Sequence, residues 1–137
     1  MRRAPSLAEF GEMTLAAYDR LPRRFRELCD GVALQVADFP DEDTLRDLGI
    51  ESPFDLLGLY HGVSLDQKST GDLPRGPDMV FLYRRPILDY WADSEDTLGK
   101  IVTHVLIHEF GHHFGLSDDD MERIEAEADV EETPPPG

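Results

Sequence analysis

Residues 108–118 read HEFGHHFGLSD and carry the most specific pattern in the sequence. Within them, His108-Glu109-x-x-His112 matches the pattern H-E-x-x-H. On an α-helix, residues four apart lie on one face, so both imidazoles can converge on one metal ion. Glu109 is turned by about 100° from His108 around the helix axis. We therefore predict that Glu109 flanks the ion, where its carboxylate can take a proton from a zinc-bound water.

The residues after His112 extend this pattern. The spacing His112-x2-Gly115-x2-Asp118 places a glycine where a helix C-terminus needs a residue that tolerates the left-handed conformation. Such a reversal can return the chain to the helix face, and Asp118 then completes a site with three protein ligands and an open position for water. Asp118 also precedes a predicted helix, so it can instead be an N-cap, with Asp119 and Asp120 favourable at the helix dipole. The pattern resembles the metzincin zinc-binding consensus with Asp in place of the third His, and we predict ligation because Asp118 alone has the consensus spacing.

The motif ends the longest predicted helix, which runs from about Ser94 to Phe114. Five apolar residues can anchor this helix against a sheet and so hold the ligands in place: Leu98, Ile101, Val102, Val105 and Leu106. Three upstream segments have the composition of strands: Val32–Asp38, Leu56–Leu65 and Met79–Tyr83.

Shorter helices and turns complete the expected chain. Ser6 followed by Glu9 has the spacing of a capping box, which predicts a helix to about Arg20. Further helical or short segments are expected at Pro22–Asp30, Asp41–Gly49, Pro86–Trp91 and 119–129, the last with Met121, Ile124 and Ala128 on one side. Residues 66–78 have the composition of a loop, and residues 133–137 that of a disordered end. The elements predict an α/β fold with a single domain at residues 1–132.

Three segments carry a family resemblance: LLGLYHGVSL (56–65), MVFLYRRPIL (79–88) and HEFGHHFGLSDDDM (108–121). They resemble the small bacterial zincin-like metallopeptidases of minimal zincin fold, over roughly Leu15 to Met121. The resemblance implies a compact α/β (α+β) domain in which a short mixed β-sheet packs on helices, among them the active-site helix. No Met-turn follows at the long spacing of the larger metzincins, and Met121 is not assigned that role.

The resemblance also implies an active site. It would hold one Zn²⁺ ion and a catalytic base, Glu109, with the metal ligands His108, His112 and Asp118.

The remaining histidines and the one cysteine are interpreted structurally. His104 extends the helical stripe, but it lies roughly 12 Å along the helix axis from His112. One ion cannot bind both, so we interpret His104 as a packing residue or as a neighbour of the ligands. His113 points about 100° away from His112 and is interpreted as structural. Cys29 is expected to be a small buried hydrophobe, with a zinc-ligating switch as the alternative.

Two features of the predicted strands stay open. A residue that stabilises the oxyanion is expected, and four residues are candidates without a preference among them: Tyr60, His61, Tyr83 and Arg84. Gly58 and Gly62 mark either a place where a substrate backbone approaches an edge strand or simple turns.

Composition limits the classes of partner. The 137 residues carry 29 Asp and Glu against 13 Lys and Arg, for a formal net charge of −16. This charge argues against nucleic acid and anionic membranes, which are bound mainly through Lys and Arg. Because we find neither a secretory signal nor an apolar run that could span a membrane, we expect a cytoplasmic protein. About half of the net charge lies in residues 118–132, which form either a solvated helix face or a segment that attracts a basic partner.

These observations predict a zinc-dependent metallopeptidase that hydrolyses peptide bonds. The negative charge favours neutral or cationic peptides, and the small size of the domain favours flexible ones. Two alternatives stay open: a non-catalytic zinc-binding interaction module, and a metal-dependent hydrolase of a non-peptide bond. Glu109 argues against the module, because a structural zinc site needs no base and usually has four protein ligands.

Overall fold

The computed structural model describes residues 4–61 and 78–132, with side chains to residue 128. These residues form a mixed α/β domain, which confirms the predicted fold class. In chain order the elements are α1 Leu7–Asp19, α2 Arg23–Leu28, β1 Ala33–Ala37, α3 Glu42–Leu48, β2 Gly58–His61, β3 Met79–Tyr83, α4 Arg84–Ala92, α5 Leu98–His113 and α6 Asp118–Glu132, with a 3₁₀ turn at Pro53–Asp55 before β2. The expected loop up to residue 77, Gly62 and the end at 133–137 lie outside the described residues.

The three strands form one mixed sheet in the order β1-β3-β2. β1 runs parallel to β3, whereas β2 runs antiparallel to it, with Gly58 opposite Leu82. The N–H of Tyr83 donates to the carbonyl of Leu57 at 2.9 Å, so that pair is the hydrogen-bonded one. Because such pairs alternate in an antiparallel ladder, the backbone groups of Gly58 and Tyr60 point away from β3. They lie on the edge of β2 that faces α5.

Helix α5 runs through the core. The five apolar residues predicted to anchor it are all buried, and they share the core with side chains of the other helices and of the sheet: Phe10 and Ala17 of α1, Val80 and Leu82 of β3, and Met121 and Ala128 of α6. This burial stabilises the helix that carries the motif, and it fixes the position of the motif histidines relative to the sheet.

Two helix starts differ from the prediction. Helix α5 begins at Leu98, because the Thr97 side chain accepts a hydrogen bond from the N–H of Lys100 at 3.2 Å. The predicted start, Ser94, instead accepts from the N–H of Asp96 in the preceding turn. Helix α4 begins at Arg84, directly after β3, so Pro86 lies in its first turn. Proline is tolerated there because its missing N–H would have no partner within the helix.

The predicted capping box at the start of α1 is confirmed, since Ser6 and Glu9 bond reciprocally. Helix α6 also begins with a capping box, but its N-cap is Ser117 and not Asp118, which was the alternative role for that aspartate. The Ser117 hydroxyl accepts from the N–H of Asp120 at 3.1 Å, and the Asp120 carboxylate accepts from the N–H of Ser117 at 3.3 Å. Ser117 therefore caps α6, and Asp118 is the first helical residue. Among the described helices, none is both long enough and apolar enough to cross a bilayer.

Candidate metal centre

The two motif histidines lie on one face of α5. The ring centroids of His108 and His112 are 5.7 Å apart and meet edge to face at 84°. Two imidazoles that share a tetrahedral zinc ion have their ring centres about 5 Å apart. Burial, followed by the neighbouring His104, lowers the pKa of His108. A neutral imidazole is the form that binds metal, so the pair fits the ion that the motif predicts.

Glu109 lies beside these histidines in a half-buried position, between α5 and the edge of β2. Burial raises the pKa of its carboxyl, while His112 and a hydrogen bond from the backbone N–H of Tyr60 act in the opposite direction. The Tyr60 N–H lies on the edge of β2 that faces α5. Strand β2 thus orients the carboxylate, and burial makes it a stronger base than an exposed glutamate.

Gly58 permits this close approach of strand and helix. A Cβ atom at Gly58 would lie 2.8 Å from Val105 Cγ1 and 3.2 Å from Glu109 Cγ. Both distances are shorter than ordinary carbon contacts. Gly58 lies within β2, so the interpretation of this glycine as a turn is wrong. The atoms that lie close to Gly58 belong to the side chains of Val105 and Glu109 on α5 and to the backbone oxygen of Phe81 on β3.

The end of α5 reverses as the sequence predicts. Gly115 has φ +72°, and the N–H of Leu116 donates to the carbonyl of Gly111 at 2.9 Å, which closes a Schellman-type turn. The Met121 side chain lies directly on Gly111, where an added Cβ would be 2.5 Å from Met121 Sδ. Helix α6 therefore folds back onto α5 at the motif itself.

Asp118 is exposed at the first turn of α6. Its charge raises the pKa of His108, although less than the charge of Glu125 does. The structure does not bring the donor atoms of His108, His112 and Asp118 within 4.8 Å of one another. Ligation by Asp118 stays a prediction.

A different set of three donors does meet that distance: His104, His108 and Glu125. The His104 Nδ1 atom hydrogen-bonds with Glu125 Oε1, and the rings of His104 and His108 are 4.0 Å apart. His104 is thus a direct neighbour of a predicted ligand, as one of its two interpretations had it. Sequence reasoning missed Glu125. Its signal was an acidic residue four positions after Met121, on the face of α6 that packs against α5.

Of the four candidates for oxyanion stabilisation, Arg84 and Tyr60 already use their side-chain donors in hydrogen bonds to other residues. Arg84 donates to the carbonyl of Pro5 at 2.8 Å and to Asp38 Oδ1 at 2.9 Å, so its guanidinium is engaged in these contacts. The Tyr60 hydroxyl donates to Asp78 Oδ2 at 3.1 Å.

The other two candidates stay open. Tyr83 is buried, and its pKa is raised to about 12 by burial, with smaller contributions from Asp41 and Glu109. Its hydroxyl therefore keeps its proton and can donate a hydrogen bond at neutral pH. His61 lies exposed at the end of β2.

The remaining single residues agree with their structural interpretations. His113 stacks on the Tyr60 ring, with centroids 3.7 Å apart and planes 9° apart. Cys29 is buried in the core, and burial raises the pKa of its thiol to about 12. Since the thiolate is the form that binds metal, this environment favours the small-hydrophobe interpretation.

Comparison with known proteins agrees with the motif. A family model described as zincin-like metallopeptidase matches residues 29–128, which is most of the chain and includes His108, Glu109, His112 and Asp118. No curated protein matches the sequence.

Proposed function

The chain belongs to the zincin-like metallopeptidase family, and from this premise we propose that it hydrolyses peptide bonds with one zinc ion. In this proposal Glu109 is the general base, and the zinc ligands are His108, His112 and Asp118. Family membership supports the class of reaction. The single observation that carries the assignment of roles is the position of Glu109, next in sequence to one predicted ligand and electrostatically coupled to the other, His112.

The chemistry divides between the ion and the chain. When bound, zinc supplies a Lewis acid that activates water and polarises the scissile carbonyl. Glu109 accepts the proton of the attacking water and then delivers it to the leaving amine. Its raised pKa assists the first transfer, and the Tyr60 N–H keeps the carboxylate oriented while the proton moves.

Neutral or cationic flexible peptides are the proposed substrates. The chain has a net charge of −16, and the described part of α6, which packs on α5 through Met121, carries several exposed acidic side chains: Asp118, Asp119, Glu122 and Glu127. A field of this sign raises the local concentration of cationic ligands. The same acidic side chains would also attract a basic partner protein.

The test is zinc-dependent cleavage of unstructured peptides. The protein is stripped of metal with a chelator, and zinc is returned in steps while metal content and cleavage of a peptide library are measured together. We expect no cleavage by the stripped protein, and cleavage that rises until about one ion is bound per chain. Cleavage that persists without metal would contradict the proposal. Full zinc binding without cleavage of any peptide would favour the interaction module.

A further inference from the structure

Helices α5 and α6 bring three metal-ligating side chains together on the N-terminal side of the motif. His104 and His108 lie one turn apart on α5, and Glu125 reaches them from α6. One donor atom from each residue lies within 4.8 Å of the other two. Ligand atoms around a tetrahedral zinc ion are about 3.5 Å apart. Modest side-chain rotations would therefore bring all three donors to one ion.

Two of the three donors are already oriented. The hydrogen bond between His104 Nδ1 and Glu125 Oε1 joins the two helices. A divalent ion can replace the proton that such a pair shares, because it binds the lone pairs of both the nitrogen and the carboxylate oxygen. His108 contributes the third donor, because one of its ring nitrogens lies within 4.8 Å of the donor atoms of His104 and Glu125. The cluster thus needs neither a new backbone position nor an additional residue.

Solvent reaches this cluster. The His104 side chain is 55% exposed and that of Glu125 24%. Both residues line a cavity of about 320 Å³ between α4, α5 and α6, and Leu57 and Tyr90 also line it. A cross-helix hydrogen bond alone requires no such opening. The cavity leaves two of the three donor residues, His104 and Glu125, open to solvent.

We propose that His104, His108 and Glu125 form a second binding site, which takes a divalent transition-metal ion of the Zn²⁺ class. Two imidazoles and one carboxylate are a donor set suited to that class. His104 and His112 lie roughly 12 Å apart along the helix axis, so no ion binds both. Both sites need His108, and where they use the same ring nitrogen the chain holds an ion in either of two mutually exclusive positions. This exclusion rests on the proposed function, whereas the second site itself does not.

The site is tested in a chain that lacks the other donors. In the double variant His112→Ala, Asp118→Ala, Zn²⁺ binding is measured by calorimetry, with folding monitored by circular dichroism. We expect about one ion to bind per chain. Adding His104→Ala or the near-isosteric Glu125→Gln should weaken this binding at least about tenfold. Adding Glu127→Gln, an exposed acid on the same helix, should leave it unchanged. Equal zinc affinity with and without His104 and Glu125 would overturn the proposal.

The reverse variant separates this site from the catalytic set. The chain with His104→Ala and Glu125→Gln should still bind one zinc ion and keep at least wild-type cleavage, because no ion is then diverted from His112. Loss of all zinc binding in that chain, with its fold retained by circular dichroism, would overturn the pair of alternative positions, because His112 and Asp118 would then form no site without His104 and Glu125. If instead His112→Ala, Asp118→Ala left the zinc affinity of the wild type unchanged, the ligand set of the proposed function would fail while the second site stood.

Discussion

Gly58 has no side chain, and this allows β2 to lie close to α5. We predict that Gly58→Ala destabilises the protein by about 1–3 kcal/mol, because the new Cβ would overlap Val105 Cγ1 and crowd the backbone oxygen of Phe81. It should also reduce peptide cleavage, since Glu109 must move with the helix. Unfolding in urea and cleavage assays measure both effects.

Gly11→Ala provides the matched control for that substitution. Gly11 lies on helix α1, and its added Cβ would be 3.4 Å from Val36 Cγ2, an ordinary contact. The free energy of unfolding of this variant should stay within about 1 kcal/mol of that of the wild type. If the two variants were equally stable, the close approach at Gly58 would not be a constraint.

Asp118 and Asp120 are neighbours with different predicted roles. Asp118→Ala should lower the affinity for zinc, because it removes a predicted ligand. Asp120→Ala should keep zinc affinity and lose some stability, because that carboxylate accepts the capping hydrogen bond from the N–H of Ser117. Zinc titration and urea unfolding of both variants separate these roles. Equal zinc affinity in the wild type and Asp118→Ala would remove Asp118 from the ligand set.

At the scale of elements, local chemistry made most helices and strands predictable. Ser6 and Glu9, the left-handed Gly115 and the apolar run of β3 each act through neighbours in sequence. The start of α5 was misplaced because Ser94 and Thr97 are both good caps, and only their hydrogen bonds to Asp96 and Lys100 distinguish them.

Only the part of the site that lies on one helix, α5, could be predicted from the sequence. His108, Glu109 and His112 follow from helical spacing. The contact of His104 with Glu125 depends on how α6 packs on α5 through Met121 and Gly111, and no spacing within one helix encodes that contact. The same holds for the Tyr60 N–H, because its direction depends on the register of β2 against β3.

At the scale of the whole molecule, burial of weak acids sets the response to alkaline pH. The pKa values of both Cys29 and Tyr83 are raised to about 12 in the folded protein. The unfolded chain releases these protons near pH 8.5 and pH 10, respectively. Between those values and about 12 the folded state therefore binds more protons, so the free energy of unfolding falls as pH rises.

This linkage gives a prediction for stability. Urea unfolding should give a free energy that declines as pH is raised above about 8.5. Cys29→Ala should show a shallower decline between about pH 8.5 and 10, because it lacks the group that the unfolded chain deprotonates at the lowest pH. Parallel declines in the wild type and the variant would mean that the Cys29 thiol does not contribute.

The central claim concerns the base on α5, and the most direct measurement compares the zinc-loaded wild type with Glu109→Gln at equal metal content. We predict that the variant retains its zinc and that kcat/KM for peptide cleavage falls by about 10²–10⁴-fold, which is the contribution of a positioned general base. Glu12→Gln, an exposed acid on α1, should cleave like the wild type. Undiminished cleavage by Glu109→Gln with its zinc retained would contradict the account.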